Sequence, residues 1–162
     1  MLSDDTFLGV VAATPLVSVD LVVLRHEREI LLGQRTNRPA QGFWFVPGGR
    51  IRKSESIQSA LTRVAHQELG LSLAALTQAP QLMGAFDHFY ADCFAGSEQQ
   101  VGISTHYVAL GHLLPVPAHF ALPSFDKQHA ELRWWPLNQA LTDASVHSLT
   151  KLYIGAYLLL KK

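Results

Sequence analysis

Residues 47–71 constrain this chain more than any other stretch. The breaker Pro47-Gly48-Gly49 ends a short aromatic run, Phe43-Trp44-Phe45-Val46, which reads as a buried strand. Beyond it, Ile57, Ala60, Leu61, Val64 and Leu69 recur at helical spacing, with Ser54 positioned to cap the helix and Gly70 to stop it. The stretch predicts a glycine loop feeding one amphipathic helix. Glycines let a backbone approach an ion or a phosphate, and carboxylates on the following helix can hold magnesium, a hard cation that prefers oxygen.

The remainder supplies strands for that loop to pack against. Ser3 can cap a helix through about Ala13, ended by Pro15. Strands are predicted at Leu16–Leu24, Glu29–Gln34, Leu82–Phe86, Thr105–Leu114 and Leu132–Trp135, with a closing helix from about Leu149 to Leu160. The first two form a hairpin across Arg25-His26-Glu27-Arg28, and Thr36–Gly42 is a loop rich in Asn, Pro and Gly. Mixed strands with few helices predict an α/β (α+β) fold, an α/β/α sandwich on a mixed sheet. No repeat or low-complexity stretch divides the chain, so residues 1–162 are expected to be one domain.

Thirteen basic residues balance thirteen acidic ones, which leaves no global positive field to hold a nucleic-acid polymer. No apolar run approaches the ~20 residues that span a bilayer, and Met1-Leu2-Ser3-Asp4-Asp5 lacks the basic start of a signal peptide. Cys93 is the only cysteine and reads as a small buried filler. A reducing, cytoplasmic setting is the expectation.

The segment from Gly49 to Leu71 resembles the Nudix box, G-x5-E-x7-R-E-U-x-E-E-x-G-U with U aliphatic. Gly49, Glu55, Arg63, Glu68 and Gly70 match, followed by the aliphatic Leu71. Two glutamates of the box are Val64 and Gln67 here, so the usual multi-carboxylate metal cluster is not available. The stretch 32–50, with Thr14–Ser18, His88-Phe89-Tyr90, Thr105–Val108 and Gln128-His129, is similar to the GDP-mannose mannosyl hydrolase branch of the Nudix hydrolases, which shares this deficit. The resemblance spans most of 14–134 and fades beyond Pro136; Leu73–Gln81 and Gly96–Gly102 depart from it.

That resemblance implies hydrolysis of GDP-mannose, with GDP-glucose left open, to GDP and sugar by water attacking the anomeric carbon with inversion. It implies one Mg2+ per site, with Mn2+ as an alternative, held by the Gly48 carbonyl, Glu68 and Gln128. It makes His129 the general base, puts Arg35, Arg50 and Arg63 on the diphosphate, and sets Asp20, His88 and Tyr107 around sugar and diphosphate. Family members form dimers, so Leu16–Asp20 and the terminal helices are expected subunit contacts, and Leu122–Gln128 is a candidate closing loop.

The chemistry is self-consistent. Inverting substitution needs a base for water and relief of the leaving group's charge. A nucleoside diphosphate is a weak base that magnesium and Arg35 or Arg50 can stabilise without a proton donor. A histidine titrating near ~6.5 suits the base, and Asp20 can orient it or stabilise charge on the sugar.

Plainer readings stand beside these. Arg63 and Gln67, one helical turn apart, can form a surface pair, and Glu55 in a first helical turn is favoured by the helix dipole. His106 and Tyr107 point to opposite faces of a strand, so one of them, Tyr107, is expected at the site. Trp44, Trp134 and Trp135 read as core, and His26, His66, His112, His119 and His147 as solvated or packing residues. Two rival functions remain: a pyrophosphohydrolase attacking phosphorus in a nucleotide sugar, and a catalytically silent nucleotide-binding module.

Overall fold

The computed structural model describes residues 3–76, 78–94, 102–121 and 129–161. Helix α1 (Asp4–Ala13) is capped by Ser3, whose side chain accepts from the Thr6 amide. The long strand β1 (Leu16–Arg25) turns at His26 and Glu27, both left-handed, into β2 (Glu29–Arg35). Two short strands follow, β3 (Trp44–Phe45) and β4 (Gly48–Arg50), then α2 (Ile57–Leu69) and a 3-10 turn at Leu73–Ala75. Strands β5 (Gln81–Tyr90), β6 (Thr105–Val116) and β7 (His129–Pro136) complete the sheet, and α3 (Leu137–Thr142) and α4 (Ser148–Leu160) end the chain.

The sheet runs β3-β2-β1-β6-β5, with β4 also on β1 and β7 also on β2. Strands β1 and β6 are parallel from Leu16 opposite Tyr107 to Arg25 opposite Val116, while the other pairings are antiparallel. Strand β1 is buried on both faces, which explains its nearly continuous apolar run. Val19, Leu21 and Val23 face Ala60, Leu61, Val64, Ala65 and Leu69 of α2. On the other face Val22 and Leu24 belong to the cluster of Tyr153, Ile154 and Tyr157 of α4 with Leu137 and Ala140 of α3. The result is the α/β/α sandwich expected. Trp44 and Trp135 are in the core, and Cys93 is buried with Leu8 and Val11 of α1.

Three local expectations are corrected. The cap of α2 is Ser56, whose side chain accepts from the Ser59 amide at 3.1 Å, whereas Ser54 occupies a left-handed turn at φ 63°. Gly48 and Gly49, read as a breaker, form β4 against β1, since an edge ladder needs only backbone groups. Helix α3 lies in the stretch between the last predicted strand and the closing helix. Gly70 ends α2 in the left-handed conformation as expected, at φ 59°.

Ser56→Ala should therefore destabilise the protein by about 1 kcal/mol, the usual worth of an N-cap. Ser54→Gly should be neutral or stabilising, because glycine relaxes the left-handed turn. Urea unfolding midpoints of the two variants check the assignment.

Candidate active site

A cavity of about 150 Å³ opens where β4 lies against β1, lined by Ser18, Asp20, Arg35, Gly48, Arg50, His88, Tyr90 and Tyr107 among others. Strand alternation sends Asp20 to the α4 side, together with Val22 and Leu24. The β1–β4 register sets Gly48 opposite Asp20 and Arg50 opposite Ser18. A side chain at residue 48 would begin 2.7 Å from Asp20 Oδ1, so only glycine brings this backbone so close to the carboxylate. Arg35 closes β2 and donates from Nε to the Pro39 carbonyl at 2.9 Å; the Arg50 guanidinium lies over the Phe7 ring of α1 at 3.8 Å. His88 and Tyr107 are cross-strand partners on β5 and β6. His106 is outside the cavity, stacked on Phe89, as alternation required.

The cavity wall holds a buried polar network. Asp20 Oδ1 accepts from the Ser18 hydroxyl at 3.0 Å and Oδ2 from the Tyr153 hydroxyl at 2.8 Å. Burial pushes the Asp20 carboxyl up to about 6; the two hydroxyl donors and the Arg35 charge pull the other way without cancelling it. Burial pushes the His88 imidazole down to about 4, with His147 adding to the shift, so the ring is neutral at physiological pH. The Tyr107 hydroxyl is raised by burial and opposed by the charges of Arg50 and Arg35.

The loop-helix motif is welded by Arg63. Its Nε and Nη2 donate to the Glu55 carboxylate at 2.6 and 2.7 Å, Nη2 also donates to the Arg50 carbonyl at 2.8 Å, and Nη1 donates to Gln67 at 3.1 Å. Arg63 thus clamps the loop to α2 and, with Gln67, lines a groove on the helix surface, apart from the cavity described above. Glu55 is held well below the usual carboxylate range, at about 2, by these donors and the Arg52 amide. Val64 fills the space facing Gly49: a side chain there would begin 2.9 Å from Val64 Cγ2.

The donors available to a divalent cation are oxygens. Gly48 offers its backbone beside Asp20, and Glu68 is a buried carboxylate on α2 whose negative charge acts on Arg63. Among the described residues no group of three His, Cys, Asp or Glu side chains is gathered for an ion. A carboxylate and a backbone carbonyl are the kinds of oxygen donor that a hard ion such as Mg2+ takes; Gly48 lines the cavity, whereas Glu68 is buried on α2 outside its lining. Gln128 and the loop 122–128 lie outside the described residues. His129 opens β7, its backbone opposite Arg35 in the β2–β7 register.

A mixed sheet between helices, with a glycine loop clamped to a glutamate-bearing helix beside an arginine-lined cavity, defines a hydrolase of nucleotide-linked substrates. The NUDIX domain family matches residues 14–153, and the chain belongs to that family. It is 41% identical over 131 residues to the low-salt glycan biosynthesis protein Agl8 of Haloferax volcanii, a match covering 80% of this chain and 76% of that one. The crystal structure of a MutT NUDIX hydrolase from Burkholderia pseudomallei superposes with a TM-score of 0.66 at 25% identity, over 88% of this chain and 98% of that one. The NUDIX domain of Shewanella oneidensis NrtR, crystallised with ADP ribose, superposes with a TM-score of 0.69 at 17% identity, over 99% and 100%. Nudix hydrolases typically use a divalent metal ion. Among the described residues no helix is long and apolar enough to cross a membrane.

Sequence reasoning missed Tyr153, Tyr90 and Ser18. Tyr153 lies in an apolar helix 133 residues from Asp20, and only the packing of α4 across β1 reveals the contact. Ser18 had a local signal, since it shares the face of Asp20 two residues on.

The Asp20 shift sets a pH dependence of stability. Its folded pKa of about 6 lies above the ordinary 3.8, so the folded state binds this proton more readily than the unfolded one. The ionised carboxylate therefore costs stability above pH 6, and the cost shrinks as pH falls through 6 toward 3.8. Asp20→Asn should be more stable than the wild type at pH 8, by on the order of 1–3 kcal/mol, with the gap closing below about pH 4. His88, depressed to about 4, loses stability as pH falls from 6.5 in both proteins. Thermal melts across pH 4–8 isolate the Asp20 difference.

Proposed function

We propose that this Nudix hydrolase cleaves a GDP-linked hexose, GDP-mannose with GDP-glucose as its competitor, to GDP and free sugar. Water attacks the anomeric carbon with inversion. The observation that carries the reading is the composition of the cavity, where Arg35 and Arg50 share one wall system with the buried Asp20 and His88. Arginines suit a diphosphate, and a carboxylate that is ionised at neutral pH suits a sugar ring on which positive charge develops. Val64 and Gln67 support it further: α2 lacks the carboxylates there that the box of ordinary Nudix enzymes supplies for attack at phosphorus. The Haloferax volcanii relative, described as a glycan biosynthesis protein, accords with a substrate that carries sugar.

Each step then falls to a named group. Arg35 and Arg50 bind the diphosphate and take up the charge that develops on the leaving GDP, so no proton donor is needed. The Gly48 carbonyl, Glu68 and Gln128 would hold the divalent ion, which when bound neutralises diphosphate oxygens. Asp20 stabilises the sugar's developing charge. His129 takes the proton from the attacking water; the β2–β7 register, which sets its backbone opposite Arg35, supports that role.

Hydrolysis in oxygen-18 water should put the label in mannose and leave GDP unlabelled, read by mass spectrometry. Label in GMP or mannose phosphate would move the attack to phosphorus, and absence of products from any GDP-hexose would overturn the reading. His129→Gln should lower kcat by about 100-fold while the affinity for GDP-mannose is kept, as loss of a general base predicts. Unchanged turnover would remove His129 from the mechanism.

A further inference from the structure

The hydroxyl of the fully buried Tyr153 touches two groups that line the cavity. It donates to Asp20 Oδ2 at 2.8 Å and lies 3.3 Å from His88 Nε2. A phenol has one proton, and here the carboxylate receives it. The contact with His88 is then a hydrogen bond only if Nε2 carries a proton and donates to the phenol oxygen. The opposite tautomer would set lone pair against lone pair. To relieve that, the phenol would have to withdraw its proton from Asp20 and leave a buried carboxylate one donor short.

A neutral imidazole protonated at Nε2 has its lone pair on Nδ1. That nitrogen is not spent on Asp20, whose Oδ2 is 3.9 Å away, beyond hydrogen-bond reach. The ring is held by the aromatic faces and edges of Phe45, Tyr90 and Tyr153, at centroid distances of 5.8, 6.3 and 5.6 Å. The position of Tyr153 is itself built into the sheet. A side chain at Gly111 of β6 would begin 2.6 Å from Tyr153 Cε1, so a glycine keeps the space this ring fills, and Phe86 packs edge-on against it at 4.7 Å.

We propose that Tyr153 is a positioning residue that fixes His88 as the Nε2–H tautomer and so turns Nδ1 into a hydrogen-bond acceptor for a hydroxyl of the bound sugar. The choice of ligand rests on the function proposed above; the tautomer rests on geometry alone. A fixed acceptor selects a hydroxyl donor and rejects a sugar that lacks it or carries it as an ether, because a buried lone pair is then left unmatched. The polar network around Asp20 thereby contributes to sugar selection through a residue that itself need not touch the sugar.

The full-length protein labelled with 15N-histidine, recorded at pH 8 by two-bond proton–nitrogen NMR, tests the first half. His88, assigned by the signal lost in His88→Asn, should show a protonated Nε2 and an unprotonated Nδ1. In Tyr153→Phe the two nitrogen shifts should move toward each other as the tautomers mix. A protonated Nδ1 in the wild type, or unchanged shifts in Tyr153→Phe, overturns the proposal. Calorimetric titration tests the second half: Tyr153→Phe should bind GDP-mannose about tenfold more weakly, the worth of one hydrogen bond, and GDP equally well. Equal weakening of both ligands overturns the sugar role. Gly111→Ala, which displaces the ring and keeps the hydroxyl, should reproduce both effects if Tyr153→Phe does not fold. Should the wild type hydrolyse no nucleotide-linked hexose, the proposed function and the sugar role fall together, while the histidine spectra still decide the tautomer.

Discussion

Asp20 lies on a strand that is buried on both faces, and withdrawing its carboxylate from water raises its proton affinity even though two hydroxyls and an arginine work against that rise. Its partners come from separate parts of the chain: Ser18 from β1 itself, Tyr153 from α4, and the charge of Arg35 from the end of β2. Two glycines make their approach feasible, Gly48 by letting β4 lie against the carboxylate and Gly111 by leaving space for the Tyr153 ring. The site geometry follows from satisfying this one charge.

Strand β1 also separates the chemistry into two faces. Val19, Leu21 and Val23 pack on α2, the helix that carries Glu68, while Asp20 turns to α4. On the α2 side, the residues that replace the two box glutamates have other work. Val64 fills the space against Gly49, and Gln67 accepts from Arg63. The motif keeps its shape because Arg63 spans Glu55, the Arg50 carbonyl and Gln67, a framework that does not depend on the lost carboxylates.

Much of this was legible in the residues, for reasons that differ by position. Gly70, the helical spacing from Ile57 to Leu69, and the opposed faces of His106 and Tyr107 follow from local periodicity, and the structure keeps all three. Asp20, Arg35, Arg50, His88 and Tyr107, drawn from a resemblance, line one cavity with Gly48. Ser54 and Ser56 both precede the apolar run, and only the backbone reveals that Ser56 caps α2 while Ser54 turns left-handed. The partners of Arg63 were half visible: Gln67 is one turn away, but Glu55 is reached through the loop. Strand β4 has no side-chain pattern to announce it, being two glycines and an arginine. Tyr153 reads as one more apolar position of its helix until the sheet beneath it is known.

The distance along the chain between Asp20 and Tyr153 has a consequence for how the protein comes into being. The glycine loop and α2 are neighbours in sequence and can associate early during synthesis, whereas the acid's phenolic donor is 133 residues away, in the last helix. A nascent chain holds its glycine loop and α2 long before it holds the wall that Asp20 and Tyr153 build together. In the mature protein the same arrangement ties that wall to the docking of α4. Any excursion that lifts this helix strips the buried carboxylate and the histidine of their shared partner at once. Competence of the pocket thus reports on the integrity of the whole sandwich.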